Sequence, residues 1–370
     1  ISKLFKDLFV LELANNHWGN VERGLKIVRE FGMIVKHNNI KAAIKLQIRD
    51  VDSFIHPGYQ NHESRYIKKT IETKMSFDQY KILVDEIINI GCIPMATPFD
   101  EKSVDTCLKL GLPLLKIASS DANDWPLIER IASTELPCIV SNGGLSEKDL
   151  DDIVEYFAHR KVPLAINHCV SQYPTEEHNL NLDQIDYLIK RYPDNVIGHS
   201  THEYHDWKNS MLASYAKGAR TWERHIDIEY IGKEWEGKSV SPYCSTPRDI
   251  DTYFQAYHKA REICGGVSQQ KRVIPTDEIK YLDELVRGIY ARKDIEKGTK
   301  INHNNFNDYF FLAIPLLKGQ LSCREIINNV MIQDNIKTNE PLTVESIDGP
   351  YNSDANLKDM ILNRGFKIIS

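Results

Sequence analysis

Two histidines stand where their side chains could do chemistry. His202 ends the apolar run NVIGHSTH, and His225 ends the next run, RTWERH. Adjacent strands of a parallel barrel bring their C-terminal ends side by side, so two imidazoles at matching ends could share one divalent cation. Two protein ligands would leave positions for water and a substrate oxygen, as Lewis-acid catalysis requires. The alternative is that each ring is a structural histidine held by hydrogen bonds. The matched positions favour the metal site.

Two lysines interrupt apolar strand patterns. Lys45 lies in AAIKLQ and Lys116 lies in LLKIASSD. A lysine in such a strand is costly unless it meets a carboxylate or an anionic ligand. If both converge on one rim of a barrel, they predict an anion-binding mouth. The alternative is a structural ion pair for each, with Glu12 or Asp121.

Hydroxyl, amide and backbone donors follow the fourth and fifth apolar runs: Ser119, Ser141, Asn142, Gly143 and Gly144. This is the composition of a phosphate cradle, although a plain strand-to-helix turn could carry the same letters. Beside the two lysines it favours a phosphorylated substrate. A further polar ring could position water, accept a proton or hold a sugar hydroxyl, and consists of Glu12, Gln47, Asp121, Ser171 and Tyr173. Cys169 with His168 is a weaker nucleophile candidate, because neighbouring strand residues point to opposite faces.

The elements that must position these residues repeat eight times as a short apolar run followed by a helical pattern. The runs are VLEL, AAIKLQ, IPMATPF, LLKIASSD, CIVSNGG, LAINHCVS, NVIGHSTH and RTWERH, and helices are predicted over 21–37, 76–90, 146–157, 183–191 and 247–263. Strands alternating with helices predict parallel βαβ units. Eight units over about 250 residues predict an α/β fold, the (β/α)8 or TIM barrel, whose active site lies at the C-terminal ends of the strands.

The domain pattern changes after the eighth unit. We expect a barrel over 1–268, a polar linker over 269–283, a small β-rich domain over 284–350 and a C-terminal extension over 351–370. In the small domain, Gly298 in DIEKGTKI is expected to take a positive φ between short strands, and PLTVESI is predicted to form a further strand.

Composition narrows the function classes. The net charge of −6 over 370 residues gives no sign of a nucleic-acid or membrane surface, so a small-molecule substrate is expected. The seven cysteines are dispersed and lack CxxC spacing, which argues against a disulfide framework and a zinc ribbon. The apolar stretches are strand-sized and no signal peptide is recognised, so a cytoplasmic location is expected.

The rim resembles that of the sialic acid synthases, which join phosphoenolpyruvate to an N-acylated hexosamine. The matching segments run in family order: LELANNHWGN, AIKLQ, TPFDEKSVD, KIASSDANDWPLI, SNGGLSEKDL, HCVSQYPTEEHNLNL, GHSTHEYHDW and ERHI. The family's C-terminal antifreeze-like SAF domain is similar to the segment that runs from VRGIYARKDIEKGTKINHNNF through PLTVESI. The resemblance implies a cytoplasmic homodimer in which this domain lies over the partner's active site.

The resemblance also implies residue roles. It assigns His202 and His225 to a divalent metal, manganese with magnesium or cobalt as alternatives. It places phosphoenolpyruvate against Lys45, Thr97, Lys116, Ser119, Ser141, Asn142, Gly143 and Ser171. Glu12, Gln47, Asp121 and Tyr173, with the two lysines, form the catalytic set that meets the amino sugar or the attacking water.

Four segments depart from the family. Ser200-Thr201-His202-Glu203 replaces Ser-Asp-His-Thr, and Ser141-Asn142-Gly143-Gly144 replaces Ser-Thr-Gly-Met. GKSVSPYCSTP replaces a Gly-Pro-Asp stretch whose Asp binds sugar hydroxyls, and NDYFFLAIPLLKG lacks the Arg-Pro pair of the SAF domain. These changes predict retained phosphoenolpyruvate and metal chemistry with an altered acceptor.

The expected reaction is metal-dependent condensation of phosphoenolpyruvate with an open-chain aldose or N-acylated amino sugar and water, giving a nonulosonic acid and phosphate. Two alternatives stay open: a class I aldolase with Lys45 or Lys116 as Schiff-base nucleophile, and a binding protein that is not catalytic.

Overall fold

The first unit of the chain is a closed barrel of eight parallel strands, in a computed structural model that describes residues 3–204, 206–265 and 271–366. The strands are β1 (Leu8–Ala14), β2 (Ala42–Ile48), β3 (Ile93–Pro98), β4 (Leu114–Ile117), β5 (Cys138–Ser141), β6 (Leu164–Cys169), β7 (Val196–Thr201) and β8 (Thr221–His225). Each strand pairs with the next, and β8 closes on β1. The predicted (β/α)8 barrel is confirmed.

Helices follow the strands around the barrel. They are α1 (Val21–His37), α2 (Val51–Phe54), α3 (Arg65–Glu72), α4 (Phe77–Asn89), α5 (Glu101–Lys109), α6 (Trp125–Ala132), α7 (Glu147–His159), α8 (Asp183–Arg191), α9 (Trp207–Ala216) and α10 (Pro247–Ile263). The connection from β2 to β3 holds three of them, so a long segment lies at the C-terminal end of the barrel beside β2. The five predicted helices agree with these bounds to within two residues.

Local sequence signals explain why several helices begin where they do. The Asn20 side chain accepts a hydrogen bond from the backbone N–H of Arg23 at the start of α1. Ser146 and Asp149 form a reciprocal capping box at α7, and Thr246 does the same with Asp249 at α10, where Pro247 occupies the first turn. Each cap satisfies backbone N–H groups that a helix leaves unpaired.

Along the strands, the side chains that face into the barrel change from apolar to polar towards the C-terminal end. On β1, Leu8 and Val10 belong to a buried apolar cluster inside the barrel, and Glu12 lies on the same face at the C-terminal end. On β4, Leu114 belongs to that cluster and Lys116 follows two residues later. Because strand side chains alternate with a period of two, one face supplies both the packed base and the polar rim. The outward faces pack against the helices.

The second unit begins after the barrel, and the chain divides into Ile1–Ser268 and Gln269–Ser370. It contains α11 (Thr276–Leu285), β9 (Gly288–Ala291), β10 (Lys300–Ile301), α12 (Phe306–Tyr309), β11 (Phe310–Ala313), β12 (Val330–Met331), α13 (Pro350–Ser353) and α14 (Ala355–Leu362). The strands form two antiparallel pairs, β9 with β11 and β10 with β12, around their own apolar core. Gly298 takes a φ of +88°, as predicted for its turn.

Part of the segment predicted as a linker forms α11. One expectation for this unit differs from the structure. PLTVESI is not a regular strand, because Pro341 has no N–H to donate and residues 344–346 form a 3₁₀ turn closed by the Thr343 and Ser346 hydroxyls. In this segment, backbone pairing is limited to isolated bridges such as Tyr290 with Pro341. No helix in the described part of the chain is long and apolar enough to cross a membrane.

Candidate functional site

A cavity of about 820 Å³ opens at the C-terminal ends of the barrel strands. Its lining includes twelve of the residues selected from the sequence: Glu12, Lys45, Gln47, Thr97, Lys116, Ser119, Ser141, Gly143, Ser171, Tyr173, His202 and His225. These residues come from all eight strands or from the loops that follow them, as expected for a site of this fold. The structure therefore brings together residues that are up to 213 positions apart in the chain.

Asn142, Gly144 and Asp121 do not line this cavity. The Asn142 side-chain oxygen accepts a hydrogen bond from the backbone N–H of Cys169 at 3.0 Å, which ties the loop after β5 to the end of β6. Asp121 lies in the 3₁₀ turn after β4 and accepts a hydrogen bond from Ser120 at 3.1 Å. Burial raises the pKa of Asp121 to about 6. It does not pair with Lys116.

The floor of the cavity holds four buried charges in one connected cluster. Lys45 pairs with Glu12 and lies 3.3 Å from a carboxylate oxygen of Glu223. Lys116 lies 3.1 Å from the other oxygen of Glu223. The strand register explains part of this arrangement, since Glu12 is level with Lys45 on β2 and with His225 on β8. Each lysine thus has a carboxylate partner, and the cluster is neutral overall.

The charged groups of this cluster shift one another's pKa values. Burial acts to raise the pKa of Glu223, but Lys116 and Lys45 together hold it at about 2. Burial acts to lower the pKa of Lys45, and Glu12 and Glu223 more than offset it, so that the pKa is raised. The Lys45 ammonium also donates to the Thr97 hydroxyl at 2.8 Å. Burial also raises the pKa of Glu12, although Lys45 acts to lower it. Lys45 and Lys116 therefore lie in the floor of the cavity where an anion would meet them.

Hydroxyls and a glycine lie beside Lys116 on the β4 to β6 side. The backbone N–H of Gly143 donates to the Ser119 hydroxyl at 3.0 Å. A Cβ at Gly143 would come within 2.2 Å of the Ser171 hydroxyl and within 2.8 Å of that of Ser119. The Ser141 hydroxyl is buried without a hydrogen-bond partner among the described residues. Only glycine leaves room for these donors to converge, and the arrangement has the composition of an oxyanion cradle.

The two histidines lie together at the neighbouring ends of β7 and β8, with ring centroids 5.4 Å apart. Burial lowers the pKa of His202 to about 4 and that of His225 well below its ordinary value, so both rings are neutral at pH 7. His202 Nδ1 lies 3.0 Å from the Val170 carbonyl oxygen. Because a carbonyl oxygen can only accept a hydrogen bond, Nδ1 carries the proton of the neutral ring. Nε2 therefore has a free electron pair. Neutral imidazoles with one nitrogen oriented by a carbonyl suit a divalent cation.

The protein supplies few ligands for such a cation. Across residues 3–204, 206–265 and 271–366, no group of three or more His, Cys, Asp or Glu side chains is arranged to hold a metal ion. Glu12 and Glu223 are engaged by the lysines. The donor set fits a cation held by two imidazoles whose remaining positions are filled by water and substrate oxygens.

Aromatic rings enclose the histidines. The Tyr173 ring lies 4.0 Å from His202 and 5.3 Å from Tyr243, centroid to centroid. Tyr243 comes from the loop after β8, in the segment that departs from the resembling family. His168, considered above as a partner for Cys169, instead lies 2.7 Å from the Leu180 carbonyl through Nε2. Its bond to the backbone leaves it a structural residue.

Arg23 fixes the loop after β8 against the loop after β1. Its guanidinium donates to Asp227 at 2.6 Å, to the Ile228 carbonyl at 2.9 Å and to the Asn16 carbonyl at 2.8 Å. It also stacks on the Tyr230 ring at 3.7 Å. Asn16 lines the cavity, so this buried residue holds one wall in place.

The sequence prediction missed several lining residues. Glu223 lies two positions before His225 and on the same face of β8, so period-two alternation from the histidine could have found it. Arg49 continues the inward series Lys45 and Gln47 just beyond β2. Arg65 and Lys69 also line the cavity, but they come from α3, a helix that the periodicity did not predict.

The sequence and the fold were compared with known proteins. The NeuB family model matches residues 34–269. The chain is 29% identical to an N-acetylneuraminate-9-phosphate synthase of Drosophila melanogaster over 93% of this chain and 97% of that protein. It is 28% identical to a pseudaminic acid synthase of Campylobacter jejuni over 81% and 86%. The crystal structure of a candidate spore coat polysaccharide biosynthesis protein E from Chromobacterium violaceum superposes with a TM-score of 0.86 at 30% identity, covering 93% and 100%.

Proposed function

The chain belongs to the NeuB family, and from this premise we propose that it condenses phosphoenolpyruvate with the open-chain form of an aldose or N-acylated amino sugar. Water is the third reactant, and the products are a 2-keto-3-deoxy nonulosonic acid and inorganic phosphate. The relatives named as N-acetylneuraminate-9-phosphate and pseudaminic acid synthases support this class of transferase.

One observation carries the proposal. Two buried lysines and the hydroxyls of Ser119, Ser141 and Ser171 lie on one side of a cavity that also holds two neutral imidazoles. Phosphoenolpyruvate carries a phosphate and a carboxylate, and both need cationic or hydrogen-bonding partners when they leave water. The serine side of the cavity fits the phosphate, and the lysines fit the charge of both groups.

The reaction balances with the groups present. The C3 carbon of phosphoenolpyruvate forms a bond to the aldehyde carbon as the C2–C3 double bond and the aldehyde π bond break, and the aldehyde oxygen takes up a proton. A water oxygen adds to C2 and loses its protons, and the C2–O bond to phosphate breaks as C2 becomes a ketone. Lys45 and Lys116 hold positive charge next to the departing phosphate throughout, which is the preorganised electrostatic stabilisation that enzymes use most. Glu12, Gln47 and Tyr173 orient the acceptor and the attacking water.

A divalent cation, manganese being the expected one, would be held by His202 and His225. When bound, it supplies Lewis-acid polarisation of the acceptor aldehyde. The His202 ring is already oriented for this by the Val170 carbonyl. Tyr173 packs over the same ring and limits the approach of bulk water.

A Schiff-base aldolase is disfavoured by the state of the lysines. A nucleophilic lysine needs a depressed pKa so that its amine is free. Burial would act in that direction on Lys45, but the adjacent carboxylates raise its pKa. Lys116 forms an ion pair with Glu223 at 3.1 Å.

The C-terminal unit is proposed to be an SAF domain that completes the site of a partner subunit in a homodimer, through residues from about 300 to 325. Support comes from the sequence resemblance and from large apolar side chains left exposed on α11: Ile279, Leu282 and Leu285. Sedimentation of the full-length chain tests this. We expect a dimer, and a monomer would contradict the exchange.

Phosphate release tests the function. With a divalent metal present, release should require both phosphoenolpyruvate and a sugar. Phosphoenolpyruvate labelled with ¹⁸O in the C–O–P bridge should give ¹⁸O-phosphate, because the C–O bond is the one that breaks. Release without a sugar, or a covalent adduct trapped by borohydride with pyruvate, would overturn the proposal.

A further inference from the structure

A buried ion pair lies behind the two imidazoles of the cavity. Glu203 follows His202 in the chain, and Arg224 precedes His225. One terminal guanidinium nitrogen of Arg224 lies 2.9 Å from the Glu203 carboxylate, and both side chains are 1% exposed. Neither residue lines the cavity. The pair is therefore out of reach of a substrate, yet it is one residue away from each histidine.

Strand alternation explains where the pair lies. Glu223 and His225 face the cavity, so Arg224 between them faces outward, towards the helices around the barrel. Its guanidinium lies 5.5 Å from the Trp207 ring on α9 and 5.4 Å from the Tyr253 ring on α10. The layer between the strands and the helices is filled largely by apolar side chains. A pair of opposite charges is an exception within this layer.

The backbone pairing of β7 with β8 ends just before the histidines. Its last pair joins Thr201 to Arg224, so His202 and His225 lie beyond the ladder that would otherwise fix their separation. Side chains supply the missing links. The Arg224 Nε–H donates to the Ser245 hydroxyl at 2.9 Å, and the Ser245 backbone N–H donates to the His225 carbonyl at 2.8 Å.

The same pair holds the backbone on each side of His202. A terminal N–H of Arg224 donates to the backbone carbonyl of Glu203 at 3.0 Å. The Glu203 carboxylate accepts hydrogen bonds from the hydroxyl of Thr201, the residue before His202, and from that of Ser210 on α9. The peptide that carries His202 is thus fixed to the one that carries His225 through a single guanidinium.

The energetics of a buried ion pair argue against stability as its only role. Taking two charges out of water costs solvation that their attraction offsets only with good geometry, and replacing such a pair with apolar side chains is often neutral or stabilising. Residues that orient a metal ligand act differently, since their loss lowers metal affinity by roughly 10- to 100-fold. Two methionines could fill this layer, but they could not link the two histidine peptides.

We propose that Glu203 and Arg224 are positioning residues that set the separation and the orientation of the His202 and His225 rings. The proposal rests on the proposed function, in which the two rings hold a divalent cation beside the acceptor aldehyde. It gives the ion pair no contact with the cation or with either substrate. The competing explanation is that the pair only holds α9 and α10 against the barrel, in which case its loss would disturb the whole cavity.

The experiment uses the full-length protein labelled with ¹⁵N in its histidines. The test variant combines Glu203→Met with Arg224→Met, so that no buried charge is left unpaired. Arg224→Lys keeps the charge and loses the planar fork of donors. Tyr253→Phe is the matched control, because it removes a polar group from the same layer and its hydroxyl has no hydrogen-bond partner among the described residues.

Three quantities are measured for each protein. The ring ¹⁵N chemical shifts of His202, assigned by comparison with His202→Ala, report its tautomer in metal-free protein. The EPR signal of free Mn²⁺ gives the manganese affinity, and calorimetry gives the affinity for phosphoenolpyruvate.

We expect the unmodified protein to show a single His202 tautomer with the proton on Nδ1, because the Val170 carbonyl accepts from that nitrogen. In the double variant the shifts should move towards the average of the two neutral tautomers, and the manganese affinity should fall roughly 10- to 100-fold. The affinity for phosphoenolpyruvate should stay unchanged, since its proposed hydroxyl contacts follow β4 to β6. Arg224→Lys should give smaller changes in the same direction, and Tyr253→Phe should give none.

Two results would overturn the proposal. One is a double variant that keeps the single His202 tautomer in metal-free protein. The other is a parallel loss of His202 order and phosphoenolpyruvate affinity, which would show that the pair supports the whole cavity. If the double variant does not fold, the same two results in Arg224→Lys decide the question. An unmodified protein that binds no manganese would refute the proposed metal site, whereas the metal-free spectrum would still decide the positioning.

Discussion

The pairing of Lys116 with Glu223 makes a quantitative prediction. Glu223→Gln keeps the shape of the side chain and removes its charge, leaving Lys116 with no carboxylate partner in a site where it is 3% exposed. Removing one member of a buried ion pair costs about 3–5 kcal/mol, because the remaining charge stays desolvated. For a unit the size of this barrel, that corresponds to a fall in Tm of roughly 6–15 °C.

The assay is thermal unfolding at one scan rate, with and without inorganic phosphate. The unpaired ammonium should make the variant gain more from phosphate than the unmodified protein does, because an anion that binds only the folded state stabilises it by mass action. Asp152→Asn is the control, since the Lys148–Asp152 pair is exposed on α7 and its loss should leave Tm nearly unchanged.

A double variant makes the reasoning testable even if the single variant folds poorly. Lys116→Met combined with Glu223→Gln removes the orphaned charge, so it should be more stable than Glu223→Gln alone. A Tm for Glu223→Gln within 2 °C of the parent, or a double variant less stable than the single one, would refute the view that Glu223 neutralises Lys116.

Three further predictions follow from the site. Lys116→Met should weaken phosphoenolpyruvate binding by about 1.5–3 kcal/mol and leave acceptor binding unchanged in calorimetry; equal losses for both substrates would argue for a general structural role. His202→Ala or His225→Ala should abolish turnover with little change in Tm, since residues at this end of a barrel serve function more than stability; full activity in chelator-treated protein would contradict a metal role. Burial lowers the pKa of His17 to about 3, and its neutral ring accepts a hydrogen bond from the Gly19 N–H. As the pH falls below 6.5, only the unfolded chain takes up a proton at this residue. The free energy of unfolding therefore declines. His17→Asn, which keeps an acceptor, should therefore reduce the loss of unfolding free energy between pH 7.5 and 5.5 by about 1.4 kcal/mol, and an unchanged loss in denaturant titrations would show that other groups set the acid sensitivity.

The barrel could be predicted from sequence because each unit carries its own signals. Apolar runs with polar ends mark the strands, and caps such as Asn20 and Ser146 mark where helices begin. Lys45 and Gln47 are two positions apart on β2, so they lie on the same face of the strand. These signals depend on the local sequence and not on contacts with distant parts of the chain.

The side chains that form ion pairs across the barrel could not be predicted in the same way. The sequence offers Asp121, five residues away, as the alternative ion-pair partner of Lys116, whereas Lys116 pairs with Glu223, which is 107 residues away on the opposite side of the ring. Periodicity says which face a side chain occupies, but only closure of the ring brings β8 within reach of β4. The cations of α3 were missed for a related reason, since a short helix in a long connection has little periodicity to detect.

Closure of the ring also separates the two halves of substrate recognition. The proposed phosphate cradle follows β4 to β6, whereas Arg49 and the cations of α3 follow β2 and Tyr243 follows β8. The imidazoles lie between these groups in ring order, where the carbon–carbon bond of the proposed reaction would form. Residues 49–76 and 226–246 can therefore change without disturbing the phosphoenolpyruvate contacts. We therefore expect the GKSVSPYCSTP segment, where the resemblance places a change from the family pattern, to alter the acceptor and to leave phosphoenolpyruvate binding unchanged.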